Sequence, residues 1–184
     1  MLSYLTNSCR PEIQMAVHQT SRFSINPMRS HELAIMPIVK YLVDNTDRGM
    51  IYKVDKTKGL EVYIDADFAG GWNATDSDNT ENVMPRTGFI ISYANCPLIW
   101  SSKLQTKIAL STAEAEYITL SQALRESIPV QNLMKEFNCV FPLYRPKTNS
   151  CMTVHEDNQS AIAMTESLKF TQRTKHIAIK YHHF

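Results

Sequence analysis

Hydrophobic residues repeat at helical spacing in the first part of the chain. Residues 11–24 and 30–45 each place apolar side chains near one face, which predicts two helices. Pro11 suits the first turn of the first helix, because that position needs no backbone N–H. Pro37 lies inside the second pattern and predicts a kink or a split there, since proline removes a helical hydrogen bond.

Beyond residue 48 an alternating pattern replaces the helical one. In residues 60–65, Leu60, Val62 and Ile64 alternate with polar neighbours, as in a strand that buries one face. Similar short runs predict strands at residues 49–53, 86–93, 97–101 and 151–156. The runs at 86–93 and 97–101 are joined at residues 94–95, and a strand meander of this kind implies antiparallel pairing.

Helical spacing returns between the last two predicted strands. A long helix should begin at Ser111 or Thr112, and Pro129 should bend or restart it before a loop at 138–150. A short helix at 158–166 and a final helical stretch at 173–183 follow the last strand. This order predicts an α/β fold with three antiparallel strands, one parallel strand added through the long helix, and a small helical segment in front.

Composition excludes some classes of protein. Of the 184 residues, 43% are apolar and 20% charged, which is typical of a globular chain, and no apolar run approaches the ~20 residues that span a bilayer. The four cysteines are far apart and form no Cys-x-x-Cys pair, which argues against a zinc site or a disulfide framework. The net charge of +1 does not by itself predict nucleic-acid binding, but residues 167–184 contain no acid.

Three acidic segments carry the candidate chemistry. Asp65 ends the alternating strand, Glu116 lies early in the long helix, and Asp157 follows the last strand. Carboxylates delivered from two strand ends and a helix can converge at one sheet edge, where their repulsion requires divalent cations. Carboxylate-bound cations of this kind hydrolyse phosphodiesters.

Each acid alone also fits a structural role. Asp65 fits a turn cap as well, with Asp67 as a competitor, and Asp157 fits a helix N-cap. Glu114 and Glu116 are two residues apart on the helix and project differently. Glu116 shares the inward face, so we select it, and we assign Glu114 to capping. We expect Glu156 to point away from Asp157 along the strand.

Five segments together carry a family resemblance. They are DADFAGGW, RTGFIISY, PLIWSSKLQTKIALSTAEAEYITLSQA, HEDNQSAIAM and RTKHIAIKYHHF. They resemble the ribonuclease H domain of copia-type retrotransposon polyproteins, and the stretch WSSKLQTKIALSTAEAEYI is highly specific. Residues 1–48 are similar to the end of the reverse transcriptase in the same polyproteins. The resemblance therefore divides the chain into a thumb- or connection-like helical segment, 1–48, and a ribonuclease H-like domain, 49–184.

The resemblance implies an activity and its residues. It places the metal-binding acids on Asp65, Glu116 and Asp157, in agreement with the geometric choice. Two Mg²⁺ or Mn²⁺ ions would share them, one activating a water for attack on an RNA phosphate and the other stabilising the leaving 3′-oxygen. The substrate would be the RNA strand of an RNA–DNA hybrid. The substrate-binding residues it implies are Thr112 and Gln159. By their charge, Arg173 and Lys175, with Lys169 and Lys180, are further candidates for holding the phosphates; a solvated helix face explains these basic residues equally well.

The resemblance also sets an alternative. The family uses a fourth acid after a further strand and helix, and nothing before Phe184 matches it, so the fold is expected to be incomplete at its C-terminus and its activity impaired. The alternative is a catalytically silent ribonuclease H-fold module that serves a reverse transcriptase as a structural or nucleic-acid-binding part. Either reading implies the remaining polyprotein as a partner, no membrane, and an intracellular location in cytoplasmic virus-like particles or the nucleus.

Overall fold

The chain divides into two compact units. A computed structural model describes residues 1–69, 82–141, 151–166 and 181. One unit comprises Met1–Tyr52 and the other Lys53–Phe184. No helix within these described ranges is long and apolar enough to cross a membrane.

The first unit is helical. Its elements are α1 (Leu2–Ser8), a 3₁₀ turn (Pro11–Ile13), α2 (Gln14–Ser21) and α3 (Arg29–Asp44). Ile13, Val17 and Ile38 form its buried core. The two predicted helices are confirmed in α2 and α3, whereas the pattern did not predict α1. Pro11 occupies the first turn, as expected.

Of the kink or split predicted at Pro37, the split does not occur. α3 is a single helix with Pro37 inside it. Ile38, the next residue, is buried, and Tyr41 and Leu42 pack against the same core. Burial of this face anchors the second half of the helix, which compensates for the hydrogen bond that proline cannot donate.

The second unit is built on a four-stranded mixed sheet. Its strands are β1 (Leu60–Asp67), β2 (Arg86–Tyr93), β3 (Cys96–Leu104) and β4 (Thr153–His155). They lie in the order β3-β2-β1-β4. β1–β2 and β2–β3 pair antiparallel, and β1–β4 pairs parallel. The predicted fold class, a ribonuclease H-like mixed sheet, is confirmed.

The strand predicted at residues 49–53 is wrong. This segment, all of it within the described chain, is irregular. Ile51 is 91% exposed and Tyr52 is 54% exposed, so their side chains bury no face against a sheet. The apolar residues resembled a strand locally, but a strand also needs a neighbour to pair with.

Among the described elements, α4 (Thr112–Val140) is the helix that packs on the sheet. It packs on β1 and β2, and α5 (Gln159–Glu166) follows β4. The buried core joins the inward residues of β1 and β2 to those of α4, and it comprises Leu60, Val62, Ile64, Phe89, Ile91, Leu120, Ala123 and Leu124. The predicted alternation in β1 is therefore confirmed.

The long helix runs further than predicted. α4 is continuous through Pro129 to Val140, so of the predicted bend or restart the restart does not occur, and the predicted loop start at residue 138 is wrong. Proline in a helix costs one hydrogen bond, and packing of Ile128, Val130 and Met134 against the core offsets that cost. The remaining predicted loop, 142–150, and the final helical stretch, apart from Tyr181, lie outside the described residues.

Candidate metal centre

A buried polar network positions the start of α4. Gln105, just after β3, donates a 2.9 Å hydrogen bond to the Ala115 carbonyl. Thr119, on the next turn, donates a 3.2 Å hydrogen bond to the Thr87 hydroxyl of β2. All three side chains are almost fully buried. Hydrogen bonds in such a dry site hold their groups firmly, so the network fixes Glu116, which lies between Ala115 and Thr119.

Three carboxylates converge at the ends of β4 and α4. One oxygen each from Glu116, Glu156 and Asp157 lies within 4.8 Å of the other two. Among the described residues, these three side chains are placed close enough together to hold a metal ion. Glu116 is buried, Glu156 is half-buried and Asp157 is exposed, so the group opens from the core to the surface.

Asp65 lies outside this group of three but close enough to act on it. It is exposed near the end of β1, paired with Gly88 of β2. Its charge raises the pKa of both Glu116 and Glu156. A Cβ on Gly88 would lie 3.3 Å from the Asp65 carbonyl oxygen, so glycine allows this close approach of the two strands.

The Glu116 carboxylate is the most constrained member. It is 6% exposed, and its Oε2 atom has no hydrogen-bond partner in the described part of the chain. Burial raises the pKa of Glu116 to about 7, and the charges of Glu156, Asp65 and Asp157 contribute to the increase. A hydrogen bond from the Ala66 backbone opposes it. An ionised carboxylate here therefore requires a compensating positive charge.

Glu156 corrects one expectation. We expected it to point away, yet it joins the cluster, because strand alternation ends with β4 at His155. Its Oε1 atom accepts a 2.9 Å hydrogen bond from the Asn158 backbone N–H, which bends the chain back. Burial, with the charge of Asp157, raises the pKa of Glu156. An acid next to Asp157 was visible in the sequence, but the turn that redirects it was not.

Glu114 has the capping role expected of it. Its Oε2 atom accepts a 2.8 Å hydrogen bond from the Leu110 backbone N–H. Its own backbone N–H donates to the Ser111 hydroxyl at 3.2 Å, which makes Ser111 the N-cap of α4. The backbone N–H groups of Leu110 and Glu114 therefore both have a hydrogen-bond acceptor.

The predicted substrate-binding residues fall into two sets. Thr112 and Gln159 are the first residues of α4 and α5, and both are exposed. Arg173 and Lys175, like Lys169 and Lys180, lie outside the described residues. The structure therefore places only the first set.

The donor set suits a hard divalent cation. The ligands are carboxylate oxygens, which Mg²⁺, Mn²⁺ and Ca²⁺ prefer. The buried Oε2 atom of Glu116 has no hydrogen-bond partner within the ranges described, and a cation would satisfy it. Cysteine chemistry plays no part here, since Cys9, Cys96, Cys139 and Cys151 are all free and none belongs to the cluster.

Comparison with curated proteins identifies the family. The chain is 34% identical over 181 residues to the retrovirus-related Pol polyprotein from transposon TNT 1-94 of Nicotiana tabacum, covering 98% of this chain and 12% of that protein. It is 32% identical over the same span to the Pol polyprotein from transposon RE1 of Arabidopsis thaliana, of which it covers 11%. The chain belongs to the retrovirus-related Pol polyproteins of copia-type transposons.

The family match has a defined extent. The chain spans about one eighth of the length of these Pol polyproteins. A shorter relative, the secreted RxLR effector protein 161 of Plasmopara viticola, is 30% identical over 127 residues, which cover 69% of this chain and 84% of that protein. No family model and no solved structure matches the chain.

Proposed function

We propose that the second unit is a ribonuclease H-type endonuclease that hydrolyses the RNA strand of RNA–DNA hybrids during retrotransposon reverse transcription. The observation that carries the proposal is the buried Glu116 carboxylate converging with Asp157 at the edge of a ribonuclease H-like sheet. Membership of the Pol polyprotein family supplies the context, because reverse transcription creates the hybrid substrate.

Asp65, Glu116 and Asp157 are the proposed catalytic and metal-binding residues. When bound, two Mg²⁺ or Mn²⁺ ions would supply an activated water and stabilise the departing 3′-oxygen. Glu116 contributes rigidity, since α4 and its buried network hold it in place. Asp65 and Asp157 are exposed and can adjust to the substrate. This combination suits a site that must hold its cations firmly yet admit a nucleic acid.

Thr112 and Gln159 are proposed to contact the substrate backbone. Each is exposed at the N-terminus of its helix, where backbone N–H groups favour a phosphate. Arg173 and Lys175 are proposed to add charge contacts to the same backbone. The 2′-hydroxyl groups would distinguish the RNA strand from DNA.

The family resemblance also suggests a role for each part of the chain. Residues 1–48 are proposed to be the thumb- or connection-like end of a reverse transcriptase, and 49–184 the ribonuclease H-like domain. The rest of the polyprotein is the proposed partner. Cytoplasmic virus-like particles or the nucleus are the proposed location, because reverse transcription takes place on the element's own RNA.

The direct test is hydrolysis of a hybrid with a labelled RNA strand by the purified 184-residue chain in Mg²⁺ and in Mn²⁺. We expect slow cleavage of the RNA strand that chelation by EDTA abolishes, and no cleavage of duplex DNA. Glu126→Gln, a change at an exposed position of α4, is the matched control and should retain activity.

The alternative has its own outcome in this assay. Binding of the hybrid without hydrolysis in either cation would overturn the proposed activity and favour the silent structural or nucleic-acid-binding module. Cleavage that persists in EDTA would overturn the metal-dependent mechanism.

A further inference from the structure

The tightest part of the acidic cluster includes a residue that the family resemblance did not assign. Glu156 lies with Glu116 and Asp157 in the group whose oxygens approach within 4.8 Å, whereas Asp65 lies outside that group. We propose that Glu156 is a further ligand of a divalent cation at this centre, bound through Oε2. This inference deepens the proposed function, because it concerns the ligands of the same site.

The oxygen separations fit a single cation. Two ligands on one ion can lie at most twice the metal–oxygen distance apart, about 4.2 Å for Mg²⁺ and roughly 4.6–5.2 Å for Ca²⁺. The 4.8 Å limit of the cluster lies within the span for Ca²⁺ and slightly beyond that for Mg²⁺. Small side-chain movements of Glu156 and the exposed Asp157 would close the difference.

A second observation shows that the cluster is directed at a ligand. Glu116, the innermost member, is 6% exposed and its Oε2 atom has no hydrogen-bond partner among the residues described. The Oε2 atom of Glu156 is also buried, and it too has no hydrogen-bond partner among the described residues. Two buried carboxylate oxygens without donors, in side chains of one cluster, are costly unless a cation compensates them.

A local turn holds Glu156 in this position without any cation. Its Oε1 atom accepts from the Asn158 backbone N–H, which leaves Oε2 for the cluster. The Asn158 side chain accepts from the Ser160 and Ala161 backbone N–H groups at 2.9 and 3.1 Å, and so caps α5. The turn and the cap together preorganise Glu156 beside Asp157, which lowers the cost of binding a cation.

The competing explanation gives Glu156 a purely structural role in this turn. Glu156→Gln separates the two explanations, because the amide oxygen keeps an acceptor for Asn158 while the charge is removed. The experiment is a calorimetric titration of Mn²⁺ into the whole chain and into this variant. Glu166→Gln, an exposed acid on α5, is the matched control.

We expect Glu156→Gln to weaken Mn²⁺ binding about 10-fold or more, the loss typical of removing a charged group that supports a metal site. Glu166→Gln should bind as the wild type does. Wild-type affinity in Glu156→Gln overturns the inference. If that variant fails to fold by circular dichroism, Glu156→Asp replaces it; weaker binding then supports the inference, and wild-type binding overturns it.

The outcome is independent of hydrolysis. Weaker Mn²⁺ binding by Glu156→Gln, in a chain that does not cleave hybrids, supports the ligand role and refutes the proposed function. Unchanged binding, in a chain that does cleave them, refutes the ligand role and leaves the proposed function intact.

Discussion

Glu114 and Glu116 lie two residues apart on α4 and are almost equally buried, at 8% and 6% exposure. Their surroundings differ completely. The Glu114 carboxylate accepts a hydrogen bond from the Leu110 backbone, and Ser111 caps the adjacent backbone N–H. Glu116 faces Glu156 and Asp157 instead. Glu114 caps the start of α4, whereas Glu116 lies among other acidic side chains.

The difference shows how to distinguish a structural acid from a functional one. Burial is similar at both positions, so burial alone does not mark the site. What differs is that one buried oxygen of Glu116, Oε2, has no hydrogen-bond donor among the described residues. The capping region is complete by itself, whereas two buried oxygens of the cluster around Glu116 have no hydrogen-bond partner among the described residues.

The largest expected effect is on catalysis. Glu116→Gln should reduce hybrid cleavage at least about 100-fold, because it removes the charge that holds the cations, as losses of this size follow removal of essential groups. Glu114→Gln should keep most of the activity, since it alters only the cap. Steady-state cleavage of a labelled hybrid measures both. The reverse ranking would mean that the helix phase is wrong by two residues.

The next effect is on stability as a function of pH. The pKa of Glu116 is raised to about 7 in the folded chain, so between pH ~4.5 and ~7 the folded state binds more protons than the unfolded state. Stability of the metal-free chain should therefore fall as pH rises through this window, by at most about 3 kcal/mol. Burial raises the pKa of Glu156 as well, which acts in the same direction.

Denaturant unfolding in EDTA across this pH range measures the effect. Glu116→Gln should remove most of the slope, and Glu114→Gln should retain it. A wild-type stability that rises between pH 5 and 7, with no change of slope in Glu116→Gln, would contradict the picture of an uncompensated buried carboxyl.

The smallest expected effect concerns the capping region. Ser111→Ala removes the side-chain acceptor of the Glu114 backbone N–H and should cost about 1 kcal/mol of stability. Its Mn²⁺ affinity should remain that of the wild type, because the cap does not contact the cluster. Chemical unfolding and calorimetry on one preparation test both points, and a large loss of affinity would show that cap and cluster are coupled.

Local sequence signals predicted most of the second unit. The alternation of Leu60, Val62 and Ile64 located β1, and the inward helical face predicted that Glu116 is buried. These predictions succeed because they depend on the hydrophobic periodicity within a single strand or helix. The failures depend on contacts between elements. The exposed segment around Ile51 lies in no strand, and α3 and α4 pass through Pro37 and Pro129 because residues beyond each proline pack on a core.

The candidate site was predicted only in part, because contacts between elements also decide which acids come together. Asp65, Glu116 and Asp157 were assigned by position at element ends, and the structure brings Glu116 and Asp157 together while Asp65 lies just outside the closest group. Glu156 was missed, because strand periodicity assigns it to the opposite face. The Asn158 turn that redirects it depends on a single side-chain hydrogen bond, which no periodic pattern records.

The central claim is that this acidic cluster binds divalent cations. The most direct measurement is a calorimetric titration of Mn²⁺ into the wild-type chain and into the triple variant Asp65→Asn, Glu116→Gln, Asp157→Asn. We predict saturable binding by the wild type and its loss in the triple variant, with the fold of both checked by circular dichroism. Equal Mn²⁺ binding by the two proteins would contradict the account.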